Sequence, residues 1–461
     1  MGELGKRTTW LTAWLGAAAL ALPAGLASAQ AAADADAALA QEDRISELER
    51  TVQTLADELA RTQAASAVPE EQQELTSEWG FGPAASKIYG VERGLSIGGY
   101  AEGYYTNYVD DQGSGTSETL DRADMLRAVI YTGYRFNDHI LFHSEIEFEH
   151  ATTESTRSSS GGSVSVEFAS LDYFWKPYAN FRTGLLLLPM GFLNLVHEPP
   201  FYYGVNRPDV ERTLIPSTWR ENGAGVFGRL GENVEYTAYF VNGMNAAGFN
   251  SSGIRGGRQQ GNRVLAEDIA FVGRLDWTPL PELALGGSVY AGNSGQDQRI
   301  ALAAGGNVQL PDVQTVLWEL HGDYESHGLH ARALFTMTHL GNAGRLTREL
   351  QGAASNPLSA GNAIASEMLG GYGELAYDVL PLLFPGTERY LAPFYRFEWY
   401  DTQWDMPSGY GADGSKRIRS HTIGLHYEPI PNVVLKADYR YRTAEQGTIP
   451  DEVNLGFGVA F

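Results

Sequence analysis

The sequence has no cysteine, which excludes a disulfide framework and a thiolate metal site. Lysine is nearly missing as well: beyond Lys6 only Lys87, Lys176, Lys416 and Lys436 occur. Basic residues are outnumbered overall, 33 Lys and Arg against 56 Asp and Glu, for a formal net charge of −23. A chain this acidic repels a phosphate backbone, so nucleic acid is excluded as a partner. After residue 29 no apolar run reaches 18 residues, and a helical membrane span is excluded with it. What is abundant is glycine and aromatic side chains: 53 Gly, 24 Tyr, 19 Phe and 9 Trp in 461 residues. A mean hydropathy of −0.25 looks soluble, yet strands that alternate polar and apolar residues across a membrane give the same low value.

The N-terminus indicates the compartment. Lys6 and Arg7 precede the apolar run Leu11–Leu26, and Ala27-Ser28-Ala29 forms a small-x-small cleavage site before Gln30. Residues 1–29 therefore read as a secretory signal peptide, and the mature chain is expected in the envelope of a two-membrane bacterium. In the following segment, 30–64, Ile45, Leu48, Val52, Leu55 and Leu59 recur at spacings of three and four, the pattern of a short periplasmic coiled-coil helix. So few heptads do not hold together alone. They suffice if a larger body already gathers several chains; a single surface helix is the bland alternative. Residues 65–93, with Pro69 and Gly80-Phe81-Gly82-Pro83, read as a linker.

From residue 94 to 461 the period becomes two. Ile140, Phe142, Ile146 and Phe148 share one face of a strand, and His143, Glu145, Glu147 and Glu149 share the other. Near the C-terminus Leu435, Ala437, Tyr439 and Tyr441 alternate with Lys436, Asp438, Arg440 and Arg442. Such strands cannot be buried on both faces without stranding charge in a core. Short breaks, such as Asn137-Asp138 and Ser326-His327-Gly328, alternate with long Gly-, Ser- and Asn-rich stretches, such as 245–263 and 340–366. Short turns on one side and long loops on the other are how transmembrane barrels of the outer membrane are built. The expected fold is all-β: an antiparallel barrel of about sixteen strands in contact with outer-membrane lipid. The last strand alternates to its end and stops on Phe461, which resembles the assembly signal read by bacterial barrel-assembly machinery.

One segment breaks this rhythm. After a fifth strand at Phe181–Leu188 come Pro189-Met190-Gly191-Phe192 and a stretch to Trp219 with four more prolines. It is too proline-rich for strand and too apolar for an exposed loop. Residues 191–218 are expected to fold into the lumen, with His197, Glu198, Arg207, Asp209, Glu211 and Arg212 meeting the water column at a constriction. The facing wall is expected to carry Arg127, Glu145, Glu147, Arg396, Lys436, Arg440 and Arg442, cations and anions in rough balance. Each of these could instead pair with a neighbouring strand.

The chain resembles a general bacterial porin, nearest the family of phosphate-selective porins O and P. The resemblance is carried by Leu187-Leu188-Pro189-Met190-Gly191, by Val210-Glu211-Arg212 with Leu214-Ile215-Pro216, and by Arg220-Glu221-Asn222-Gly223-Ala224-Gly225-Val226. It covers residues 94–461 and implies a sixteen-stranded homotrimeric channel whose third outer loop folds inward, passing small hydrophilic solutes and ions by passive diffusion. Leu187 stands where members commonly carry a lysine, so phosphate selectivity does not transfer. No G-x-S-x-G elbow and no H-E-x-x-H spacing appears, so no catalytic residue, metal ligand or cofactor is assigned. A barrel hydrolase or a structural, anchoring barrel is the alternative.

Overall fold

In the computed structural model the described residues are 75–111, 113–157 and 160–461, together with 44, 46–48, 50–55 and 57 of a separate N-terminal unit. At those N-terminal positions the chain is helical, and Leu48, Val52 and Leu55 are exposed along it. The signal peptide, residues 58–74, and the heptad positions Ile45 and Leu59 lie outside the described residues.

The second unit, Leu75–Phe461, is built on a closed antiparallel barrel of sixteen strands. Its first half comprises β1 (Gly94–Asp111), β2 (Arg122–Arg135), β3 (Ile140–Glu149), β4 (Val164–Lys176), β5 (Ala179–Leu187), β6 (Arg220–Leu230), β7 (Val234–Asn242), β8 (Ile269–Leu280) and β9 (Leu283–Asn293). A small hairpin of β10 (Arg299–Ala301) and β11 (Asn307–Gln309) sits in a loop. The wall resumes with β12 (Gln314–Ser326), β13 (Leu329–Leu340), β14 (Glu367–Tyr377), β15 (Tyr390–Asp405), β16 (Arg417–Ile430), β17 (Val433–Ala444) and β18 (Pro450–Ala460). Wall strands pair with their sequence neighbours, and β18 closes onto β1 with Tyr100 opposite Ala460. Phe461 exchanges both backbone hydrogen bonds with Gly99, at 2.9 Å each, and turns its exposed ring outward. Closure leaves no edge with unpaired N–H and C=O groups, the condition for crossing hydrocarbon.

The two faces are those expected from the sequence, turned inside out relative to a soluble protein. On β3 Phe142 and Phe148 are exposed, whereas His143, Glu145 and Glu147 are buried. On β17 Leu435, Tyr439 and Tyr441 are exposed, whereas Lys436, Asp438 and Arg440 are buried. The same holds for Leu375 outside Glu374 and for Phe397 outside Arg396 and Glu398. Each outward Leu or Phe favours lipid over water by roughly 1.5–3 kcal/mol, so this exterior is stable only in a membrane. Turns at one end are tight: at Asn137 the side chain accepts from the His139 and Ile140 amides, both at 2.9 Å. The connection at 380–391 is longer because it holds a short helix, Leu380–Leu383.

One feature departs from the sequence reading, and a second adds to it. Residues 75–93, the described part of the expected linker, are packed against the inner wall near the ends of β1 to β6 that carry the tight turns. Ala84, Ala85 and Ile88 are buried, Phe81 lies 4.8 Å from both the Phe168 and His143 rings, and a side chain at Gly133 would collide with Ile88. At the opposite end the long loops do not splay into solvent. Phe249 and Ile254, Leu310 and Val313, and Leu346, Leu350 and Ile364 from three loops pack in one apolar core with Leu188, Leu193, Leu214, Ile215 and Trp219.

Candidate functional site

The segment between β5 and β6 crosses the interior, as its proline content predicts. Pro189 cannot donate to the ladder and ends β5, and Gly191 turns the chain with a φ of +65°. A side chain at Gly191 would meet the Glu211 carboxylate. That carboxylate accepts from the Phe192 and Leu193 amides at 2.8 and 2.7 Å, and from the Tyr372 hydroxyl of β14 at 2.6 Å. Asn194 closes the neck, donating to the carbonyls of Leu188 (2.6 Å) and Trp219 (2.9 Å) and accepting from the Trp219 amide (2.6 Å). At its far end the loop is held by the opposite side of the ring. Tyr202 donates to Glu102 at 2.5 Å, Lys436 donates to the Tyr202 and Gly204 carbonyls at 2.5 and 3.0 Å, and Arg396 donates to the Asn206 carbonyl at 3.1 Å.

The expected constriction residues are therefore brought together with the expected wall residues, but not in the water column. Asp209 accepts from Arg440 at 2.6 Å and from Arg212 at 3.1 Å. Arg207 donates to the His197 carbonyl at 3.2 Å, and Glu198 accepts from the amides of Ala84 and Ala85 at 3.0 and 3.2 Å. His197 lies 3.2 Å from Glu145. On the wall Arg127 bridges Glu102 and Glu147 at 2.8 and 3.2 Å, and Arg396 bridges Glu398 and Glu374 at 3.0 and 3.2 Å. Glu452 joins Arg440 (3.0 Å) and Arg442. His197, Glu198, Arg207, Asp209 and Glu211 are all buried; among the six loop residues only Arg212, with half its side chain exposed, faces solvent. The reason is electrostatic. A desolvated guanidinium or carboxylate is tolerated when paired, and loop and wall supply each other's partners.

Four charged residues of this region were not assigned to the site from the sequence. Glu167 and Arg220 form a buried pair at 2.7 Å. Arg255 and Arg258, from the loop between β7 and β8, donate to the Ser217 carbonyl at 3.2 and 2.5 Å, and no carboxylate lies in salt-bridge range of either among the described residues. With Arg212 they line an open cavity of about 620 Å³ on the side of the long loops. Burial, and then the neighbouring guanidinium (Arg258 for Arg255, Arg220 for Arg258), disfavours the charged form of both. A guanidinium nonetheless keeps its proton at neutral pH, so this cavity is a concentrated positive site in an acidic protein. Only loop length and a Gly-, Ser- and Asn-rich composition marked this stretch in the sequence.

A closed sixteen-stranded sheet with an apolar exterior, tight turns at one end, long loops at the other and one loop folded inward is a porin-type barrel of the bacterial outer membrane. One solved structure agrees with that fold. OmpF of Salmonella typhi, solved with daunomycin, superposes with a TM-score of 0.52 at 13% identity, over 81% of this chain and 99% of that one. An anion-selective porin from Comamonas acidovorans superposes with a TM-score of 0.45 at 12% identity, over 80% of this chain and 100% of that one. No protein-family model matches the chain. An uncharacterized protein of Aquifex aeolicus strain VF5 is 37% identical over 364 residues, 78% of each chain, and the present chain belongs to the same family as that protein.

Proposed function

We propose that the protein is an outer-membrane channel for passive diffusion of small hydrophilic solutes and ions, with a preference for anions set at its outer mouth. The observation that carries this reading is the cavity between the infolded loop and the loop after β7, where Arg212, Arg255 and Arg258 converge; among the described residues the carboxylate in salt-bridge range of the three is Asp209, on Arg212, and it is already shared with Arg440. Conduction needs a site that attracts an ion without trapping it. Guanidiniums held by backbone carbonyls retain full charge toward the solvent and serve that purpose. The buried pairs elsewhere fix the loop that narrows the passage.

This reading assigns no catalytic residue and no cofactor to the chain. The likeness to phosphate-selective porins O and P adds no preference for phosphate, because Leu187 stands where members commonly carry a lysine. Trimer assembly is supported by the exposed Leu48, Val52 and Leu55 stripe, which would be covered by two like helices. Recognition of Phe461 by assembly machinery is supported by its outward ring at the barrel seam.

Liposome swelling tests the proposal. Vesicles carrying the folded protein are expected to swell in small sugars, and faster in a monovalent organic anion than in a cation of similar size. Swelling no faster than in protein-free vesicles would refute the channel and bring forward the hydrolase and anchoring readings.

A further inference from the structure

Where β3, β4 and the infolded loop meet, three buried titratable side chains come together, of which, among the described residues, only Glu167 has an arginine partner, Arg220. Glu145 on β3, Glu167 on β4 and His197 on the infolded loop are all buried, and one ligand atom from each lies within 4.8 Å of the others. His197 Nε2 is 3.2 Å from Glu145 Oε1 and 3.6 Å from Glu167 Oε2. Glu145 Oε2 and Glu167 Oε2 are enclosed and, among the described residues, neither oxygen has a hydrogen-bond partner, while the Glu147 carboxyl lies beside that of Glu167. Around them Arg127 serves Glu102 and Glu147, Arg207 approaches Glu102, and Arg220 serves Glu167. Three guanidiniums thus face four carboxylates, and among the described residues no arginine lies in salt-bridge range of Glu145.

The backbone places Glu167 here by a special device. Glu145 pairs with Phe168 and Ile146 with Val166, so Glu167 is the extra residue of a β-bulge. Strict alternation would send Glu167 outward, since Phe168 points inward; the bulge turns both into the barrel, each 1% exposed. The fold therefore brings a further carboxylate into an already acidic enclosure rather than keeping it out.

We propose that Glu145, Glu167 and His197 bind one divalent transition-metal ion of the zinc type, which fastens the infolded loop to β3 and β4. An imidazole nitrogen with two carboxylates is a zinc-type donor set, and tetrahedral zinc with bonds of about 2.0–2.2 Å sets neighbouring ligand atoms roughly 3.3–3.5 Å apart. The two His197 distances bracket that separation. Arg207, through the His197 carbonyl, holds the histidine in position from behind. Because the three ligands come from three separate segments, the ion would cross-link loop and wall whether or not the barrel conducts.

The test uses the full chain, folded, without a histidine tag, after chelator treatment and dialysis. Titration with Zn²⁺ is expected to show one saturable site per chain, and its occupancy should raise the unfolding temperature. His197→Gln and Glu167→Gln are expected to bind at least tenfold more weakly, while His339→Gln, outside the cluster, binds as the parent does. X-ray absorption at the zinc edge on the parent protein requires no variant, and should show nitrogen and oxygen ligands in a four- or five-coordinate shell. No stoichiometric zinc in the parent, a six-oxygen shell, or equal binding in folded His197→Gln would each overturn the proposal.

Discussion

Arg440 shows what the charges inside this barrel do. Its guanidinium is sealed from solvent and donates to Asp209 on the loop (2.6 Å) and Glu452 on β18 (3.0 Å). Removing one partner of such a buried set leaves uncompensated charge, at a cost of about 3–5 kcal/mol. Arg440→Ala is therefore expected to lower the unfolding midpoint and to expose the loop near Val210–Thr213 to protease, with β17 and β18 still paired. An unchanged midpoint and an intact loop would show that Asp209 is held by Arg212 alone. Alternation along β17 in the sequence already put Arg440 inside. Its partner was not legible, because Asp209 lies 231 residues away and nothing local links them. Glu167 was missed for a different reason, and here a signal existed. Val164 and Val166 face outward on even positions, whereas Leu171 and Tyr173 face outward on odd ones. That change of phase marks the bulge.

At the scale of elements, the infolded loop was readable and the segment before β1 was not. Proline density and apolar content excluded both strand and solvent for 191–218, leaving the interior. Residues 75–93 looked like a linker because Gly80-Phe81-Gly82-Pro83 carries turn chemistry and no period. Only the folded wall shows that Phe81 and Ile88 fit against Phe168 and Gly133. The two elements meet at Glu198, which accepts from the amides that open the short helix Pro83–Ser86. Glu198→Ala removes that anchor and leaves buried amides unpaired, a loss of about 1–3 kcal/mol. The variant is expected to be cut by protease between residues 75 and 93 and to conduct more than the parent, measured on one preparation. Resistance to cleavage would mean that the aromatic contacts alone hold the segment.

For the whole molecule, the barrel, its strand number and its inside-out faces followed from period-two alternation and from short turns alternating with long loops. The balance of charge at the mouth did not follow. A net charge of −23 suggests a cation-attracting protein, yet the net value does not say where the surplus lies, and the open cavity presents Arg212, Arg255 and Arg258. The most direct measurement is reversal potential across a planar bilayer under a salt gradient, with the purified, folded protein. The account predicts discrete conductance steps and an anion-preferring potential at neutral pH, where the guanidiniums of the mouth keep their charge. In Arg212→Ala combined with Arg255→Ala the potential should move toward cations while the barrel stays folded. A folded barrel that carries no current, or one that prefers cations and is indifferent to both substitutions, would contradict it.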